Sequence, residues 1–338
     1  MEIIFLGTSA AVPTRQRNLP SIMILYNGDQ ILFDAGEDVQ RRFEDAGLKF
    51  NAPLMIFISH MHGDHVIGLP GLLFHFTLIS RTQEVKIWGP PGIFAYLIVH
   101  RMITGLHAPF LKDIFEIHTQ ENKLYRYNFQ ENPSQQPVKV DIKENCIFET
   151  SEYSLSALPV CHSIPTHGFR FYEKPHPGKF NPEKAKDMKI PRGSLWKKMQ
   201  IGETIQYKGK SYNPKELGIV GPQRSGIIIS YSADTKFCEQ LHVLAQNSDL
   251  FICEATYADE LKDLAEQKSH MTASQCAEIA KSSNVTQLVL THISSRYAEE
   301  EKLLREACSI FPNTMIAHDL MHIIPAKDKS PPFSPLKA

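Results

Sequence analysis

Leu54-Met55-Ile56-Phe57-Ile58-Ser59-His60-Met61-His62-Gly63-Asp64-His65 is the stretch on which the fold turns. Its first half, Leu54–Ser59, reads as a continuous apolar strand buried on both faces. Its second half sets three imidazoles and a carboxylate just past the strand's carboxyl end. That donor set suits a borderline-soft divalent metal such as zinc. His60 and His62 alternate, so both can face one ion. Asp64 and His65 are consecutive and can turn toward a second, and Gly63 permits the tight turn between the pairs.

The same placement recurs along the chain. His162 follows the strand Leu155–Val160, Asp234 follows Ile227–Tyr231, and His292 follows Gln287–Leu290. Alone, each is more often a capped loop residue. Together they complete two shells: His60, His62, His162 and Asp234 around one ion, and Asp64, His65, His292 and Asp234 around the other. The Asp234 carboxylate then bridges, and positions remain for water, as a catalytic metal requires.

Around these motifs strands and helices alternate. Ile3–Leu6 is a short strand. Ile22–Leu25 and Ile31–Phe33 flank Asn27-Gly28, a hairpin signal because both residues accept positive φ. Residues 37–46 form an amphipathic helix closed by Gly47. Further strands fall at Val85–Trp88, Leu250–Cys253 and Thr314–Ala317. Further helices fall at Leu72–Ile79, Ile93–Met102, Phe237–Ala245, Thr272–Ser282 and Glu299–Ser309. The class is α/β, with stacked sheets and helices outside. Two stretches break the rhythm: residues 107–150 read as polar and irregular, and residues 173–199 are rich in Pro and Lys. The tail 327–338 reads as flexible.

With 42% hydrophobic and 22% charged residues, the chain can bury a sizeable core, which excludes disorder as its main state. Its net charge of −1 means that any nucleic-acid contact must come from a local patch. The six cysteines form no C-x-x-C pair, so neither a cysteine zinc site nor a redox motif is indicated. No apolar run spans a bilayer, and the start carries no signal-peptide pattern. A cytoplasmic protein with free thiols and no membrane partner is therefore expected.

The strand-His60-x-His62-x-Asp64-His65 motif, with His162, Asp234 and His292, resembles the metallo-β-lactamase superfamily. Further stretches resemble one branch of it, the tRNA 3′-end endonucleases (tRNase Z or RNase Z). These are Phe5–Ala10, Pro13-Thr14 through Arg17-Asn18, Phe33–Glu37, Val160–Pro165, Tyr231–Thr235, Glu254-Ala255-Thr256, His270-Met271-Thr272 and Thr291–Tyr297. The resemblance implies an αββα sandwich of two facing mixed sheets over residues 1–326, with an inserted basic arm at about 173–199. It implies two Zn2+ per subunit (Mn2+ or Fe2+ being compatible with the donors), precursor tRNA as substrate, and a homodimer. It further implies hydrolysis on the 3′ side of the discriminator nucleotide by a zinc-held hydroxide, leaving a tRNA 3′-hydroxyl and a trailer 5′-phosphate. Asp64 would orient or deprotonate the water, and His270 would protonate the leaving oxygen. Asp34 would fix the histidine loop, and Glu254 would orient His270 or serve as a structural carboxylate. In the arm, Lys184, Lys186, Lys189, Arg192, Lys197 and Lys198 would grip RNA. Arg296 and Tyr297 would touch phosphate or lock the His292 loop.

The sequence departs from the family at three places. Ala233 replaces the usual glycine before the bridging aspartate. His167 stands where an aromatic is usual. Lys189–Ser194 keeps only Pro191 and Gly193 of the arm's usual motif. The alternatives are a metal-dependent hydrolase of a small phosphodiester, sulfate ester or other small substrate, and an RNA-binding module without activity.

Overall fold

The computed structural model describes residues 1–297 and 299–326. The tail assigned to 327–338 lies outside them. The chain divides into two compact units. One comprises Met1–Glu149, Leu155–Phe171 and the chain from Ile228 onward; the other comprises Thr150–Ser154 and Tyr172–Ile227.

The larger unit is built on two sheets. In the first, Asp29–Phe33, Leu54–Phe57, Val85–Gly89 and Leu111–His118 run parallel in that order. Leu54–Phe57 has neighbours on both sides, and all four of its residues are buried. This is why it reads as an unbroken apolar run. The hairpin forms as expected, with Asn27 at φ 49° and Gly28 at φ 97°. In the second sheet, Ile228–Tyr231, Leu250–Glu254, Gln287–Thr291 and Thr314–Ile316 are parallel. The inner faces meet through aromatic rings: Phe33 stacks on Phe169 and Tyr231, and Trp88 meets Phe148.

Helices cover the outer faces. Phe43 and Phe76, from the helices Val39–Asp45 and Gly68–Leu78, pack with Leu97 of Ile93–Ile103 over the first sheet. Leu244, Ile279 and Leu303, from Gln240–Ala245, Ala273–Ser282 and Glu301–Ile310, do so over the second. The αββα sandwich expected from the motifs is therefore the fold. Parallel neighbours end on the same side, so the residues past Leu54–Phe57, Ile228–Tyr231, Leu250–Glu254 and Gln287–Thr291 emerge at one edge.

One expectation is corrected. Residues 107–150 are not irregular. They form Leu111–His118, Lys123–Asn128, Val138–Asp141 and Cys146–Glu149. Val138–Asp141 is the edge strand of the first sheet, next to Lys123–Asn128, and is exposed throughout. Val138-Lys139-Val140-Asp141 alternates, but over only four residues, too short a run to stand out from the polar sequence around it.

The smaller unit has its own core of Ala185, Ile190, Met199, Ile205 and Ile219. Its helices are Pro182–Asp187, capped by the Asn181 side chain, and Ser194–Gln200. Ile205–Tyr207 and Lys210–Tyr212 form a hairpin. The unit thus runs to Ile227, beyond the basic segment 173–199.

Candidate metal centre

Seven side chains from four segments converge at the strand ends. His60, His62 and His162 form one group of donors, and Asp64, His65, Asp234 and His292 form another. His65 Nε2 lies 3.3 Å from Asp234 Oδ2, and His292 Nε2 lies 3.3 Å from Asp234 Oδ1. The Asp64 Oδ2 oxygen is 3.6 Å from His65 Nε2 and 3.5 Å from His292 Nε2. His60 Nε2 is 3.7 Å from Asp234 Oδ2, and His162 Nε2 is 3.2 Å from His62 Nδ1. Two ligands of a tetrahedral zinc at about 2.0–2.1 Å are separated by roughly 3.3 Å, so these spacings fit shared cations.

The orphaned atoms point the same way. His60 Nε2, His65 Nε2, His292 Nε2 and Asp234 Oδ1 are buried without a hydrogen-bond partner. A buried imidazole nitrogen without a partner is costly unless a cation takes its lone pair. The opposite nitrogens are all engaged, which fixes ring and tautomer. His65 Nδ1 lies 2.8 Å from Asp34 Oδ2. His60 Nδ1 lies 2.9 Å from Ser59 Oγ, whose hydroxyl donates to Asp34 at 2.9 Å. His292 Nδ1 lies 2.9 Å from Thr256 Oγ1, which donates to Glu254 at 2.7 Å. His162 Nδ1 lies 2.9 Å from the Ser269 carbonyl.

Electrostatics agree with this division. Burial drives His60 and His162 down, keeping them neutral and able to donate a lone pair. Burial works against charge on Asp64. The His292 and His65 rings beside it nevertheless hold its carboxyl well below the usual range. Asp234 is likewise held down against burial by His292 and His65. A buried group of ionised carboxylates and neutral imidazoles demands cationic charge. Metal-free, His65 meets part of that demand: burial opposes its protonation, but Asp234 and Asp34 raise its pKa. The donor set is that of a divalent metal centre.

Local backbone turns aim these groups. Asp34, Ala233 and His292 each follow a strand and adopt φ of 58°, 55° and 56°. The left-handed conformation at Ala233 explains why a glycine is usual there. Asp34 is the hub the motif suggests. Its carboxylate accepts from the Ser59 amide at 2.7 Å and from the Tyr231 hydroxyl at 2.8 Å.

His270 stands beside the centre. Its Nδ1 lies 2.7 Å from Glu254 Oε1, and its ring is 5.4 Å from that of His292. Burial opposes protonation of His270, but Glu254 outweighs it and raises the pKa to about 9. Glu254 thus faces both His270 and, through Thr256, His292. The two residues left undecided by the sequence have different surroundings. The Tyr297 hydroxyl accepts from the Ala258 amide at 2.8 Å, while the Arg296 guanidinium lies 4.9 Å over the Tyr257 ring. Among residues not singled out beforehand, Ser59, Thr256 and Tyr231 orient the centre, and the Ala11 amide donates to Asp64 at 3.0 Å. Lys268 and Tyr257 line the cleft. Ser59, Tyr231 and Thr256 lie within motif stretches, whereas Ala11, Tyr257 and Lys268 had no local signal. A cleft of about 650 Å³ opens over Asp64, His162, Asp234, His270 and His292.

The arm cations lie in the smaller unit and are all exposed. Lys184 and Lys186 are on the helix Pro182–Asp187, where Lys186 pairs with Glu183 at 2.8 Å. Lys189 has φ 56°, and Arg192 lies 5.3 Å over the ring of Trp196. Lys197 and Lys198 are on the helix Ser194–Gln200.

Residues 1–162 match the family model for anti-Pycsar protein Apyc1. Over nearly the whole chain the likeness is to other proteins. The chain is 34% identical to a ribonuclease Z of Methanosarcina acetivorans, covering 96% of this chain and 97% of that one. It is 36% identical to a ribonuclease Z of Synechocystis, covering 98% and 96%. Among solved structures, the short form of human tRNase Z superposes with a TM-score of 0.65 at 24% identity, covering 96% of this chain and 100% of that one. The identity to the curated relatives extends through both halves of the centre, and the chain belongs to the ribonuclease Z family, on the metallo-β-lactamase fold.

Proposed function

We propose that this chain is a metal-dependent endoribonuclease that removes the 3′ trailer of precursor tRNA by cutting after the discriminator nucleotide. The observation that carries the reading is a complete donor set beside a His270–Glu254 pair, in a chain collinear with ribonuclease Z. His60, His62 and His162 would hold one Zn2+ of each subunit, Asp64, His65 and His292 would hold a second, and Asp234 would serve both. When bound, such ions lower the pKa of water and stabilise charge on phosphoryl oxygens.

The chain's own residues supply the rest. Asp64, held by the Ala11 amide, orients the attacking water. His270 keeps a proton near neutral pH because Glu254 sustains it, and delivers that proton to the departing 3′-oxygen. The products are a tRNA 3′-hydroxyl and a trailer 5′-phosphate. The exposed arm cations Lys184, Lys186, Lys189, Arg192, Lys197 and Lys198 add sequence-independent phosphate contacts. A single nuclease domain bearing that arm, acting as a homodimer in the cytoplasm, completes the proposal. No helix among the described residues is long and apolar enough to cross a membrane.

The test is cleavage of an end-labelled precursor tRNA beside turnover of bis(p-nitrophenyl) phosphate, each with and without chelator. One chelator-sensitive cut after the discriminator nucleotide is expected. Turnover of the small diester with the RNA left whole would instead support a small-phosphodiester hydrolase.

A further inference from the structure

Apart from the histidines and carboxylates of the centre, the charged side chains lining the cleft among the described residues are Lys268 and Arg296. Neither forms an ion pair among the described residues. A neighbouring carboxylate neutralises many surface cations; these two face a cleft with their charge unspent.

Both stand on fixed backbone. Lys268 closes the helix Lys262–Lys268, and Ser269 follows at φ 59°. The Ser269 carbonyl lies 2.9 Å from His162 Nδ1, and the His270 amide donates to the Ala265 carbonyl at 2.9 Å. Arg296 is held at its Nε by Ser294 Oγ at 3.1 Å, and its guanidinium lies on the face of Tyr257. That stacking leaves the remaining N–H groups of the fork free to donate. Tyr257 also lies against His270, with ring centroids 6.0 Å apart. The two cations therefore belong to the His270 side of the cleft, one two residues before it and the other across the Tyr257 ring.

We propose that Lys268 and Arg296 form a two-point phosphate clamp that binds the backbone on the leaving-oxygen side of the scissile bond and selects a polynucleotide over an isolated phosphodiester. The inference rests on the reading of His270 as proton donor to the departing 3′-oxygen. On that reading the clamp reaches the phosphate on the 5′ side of the discriminator nucleotide. A small diester has nothing there to bind.

The test is a double-mutant cycle between protein and substrate. Precursor RNA is made with either a natural linkage or a neutral methylphosphonate 5′ of the discriminator nucleotide. It is cleaved by the metal-loaded wild type, Lys268→Ala and Arg296→Ala, with metal content checked by elemental analysis. For the wild type, the neutral linkage is expected to lower kcat/KM about tenfold, mainly through KM. Each alanine variant has already lost most of that contact and should lose about twofold or less. Each variant should also flatten the plot of log(kcat/KM) against log[salt] by about 0.7 for each phosphate contact removed. Lys268→Arg, which keeps the charge, should retain both sensitivities. A neutral linkage that costs the variants as much as the wild type, or an unchanged salt slope, overturns the clamp. If the wild type hydrolyses bis(p-nitrophenyl) phosphate but no RNA, the functional reading itself fails and the clamp falls with it.

Discussion

Replacing Glu254 by glutamine removes one charge from the buried pair that governs His270, while keeping the shape. The carboxylate is almost wholly enclosed. One oxygen serves His270 Nδ1 at 2.7 Å and the Thr235 amide at 3.0 Å, and the other serves Thr256. Burial alone pushes an imidazole below its ordinary value; the Glu254 charge and hydrogen bond, helped by Asp234, carry His270 up to about 9. Without that charge the imidazole should titrate at or below about 6.5. At about pH 8, the protonated fraction then falls from about 0.9 to about 0.03, a thirtyfold loss of the proton donor, or about 2 kcal/mol. The direction follows from the raised pKa: the acid form persists until pH passes the native value, so removing Glu254 brings the alkaline limb to lower pH. The assay is kcat on precursor RNA at saturating substrate and metal, from about pH 5.5 to 9.5. The variant should approach the wild type at the acid end and diverge from it as pH rises. An alkaline limb that stays in place, or an equal loss at every pH, would refute the assignment of the proton to His270.

Other outcomes follow from the same geometry. Asp34→Asn weakens the partner of His65, Ser59 and Tyr231 and should lower metal affinity about 10–100-fold in chelator competition, with the fold retained by circular dichroism. Burial lowers His167 to about 4 in the folded chain. The unfolded chain therefore binds the extra proton first. The stability present above about pH 6.5 should fall by up to about 3 kcal/mol as pH drops toward 4, and His167→Gln should flatten that slope in denaturant titrations. A Cβ added at Gly68 would lie 1.9 Å from the Gly36 carbonyl oxygen. Gly68→Ala should therefore cost about 3 kcal/mol by forcing that helix off the Asp34–Glu37 turn.

Much of this centre was legible in the sequence because its donors follow strands. A parallel strand buried on both faces is an unbroken apolar run, so Leu54–Phe57 announces itself and the polar residues after it stand out. The residues that orient the donors were harder to see. Tyr231 reaches Asp34 across 197 positions, and Ala11 reaches Asp64 across 53, with only a backbone amide to mark it. The strands of residues 107–150 were hidden for a different reason. The edge strand Val138–Asp141 alternates valine with charge over four exposed residues only, too short a run to separate it from the loop before it. Arg296 illustrates a third limit. Its neighbour Tyr297 takes the Ala258 amide while Arg296 lies on the Tyr257 ring at the cleft, contacts made about forty positions away.

Seven side chains are proposed to hold two cations around one carboxylate. Anomalous diffraction from crystals loaded with Zn2+ tests it most directly. Two peaks are expected per chain, one enclosed by His60, His62 and His162 and one by Asp64, His65 and His292, with Asp234 reaching both. In Asp234→Ala at least one peak should be lost. A single peak elsewhere in the loaded wild type, or two undiminished peaks in Asp234→Ala, would contradict it.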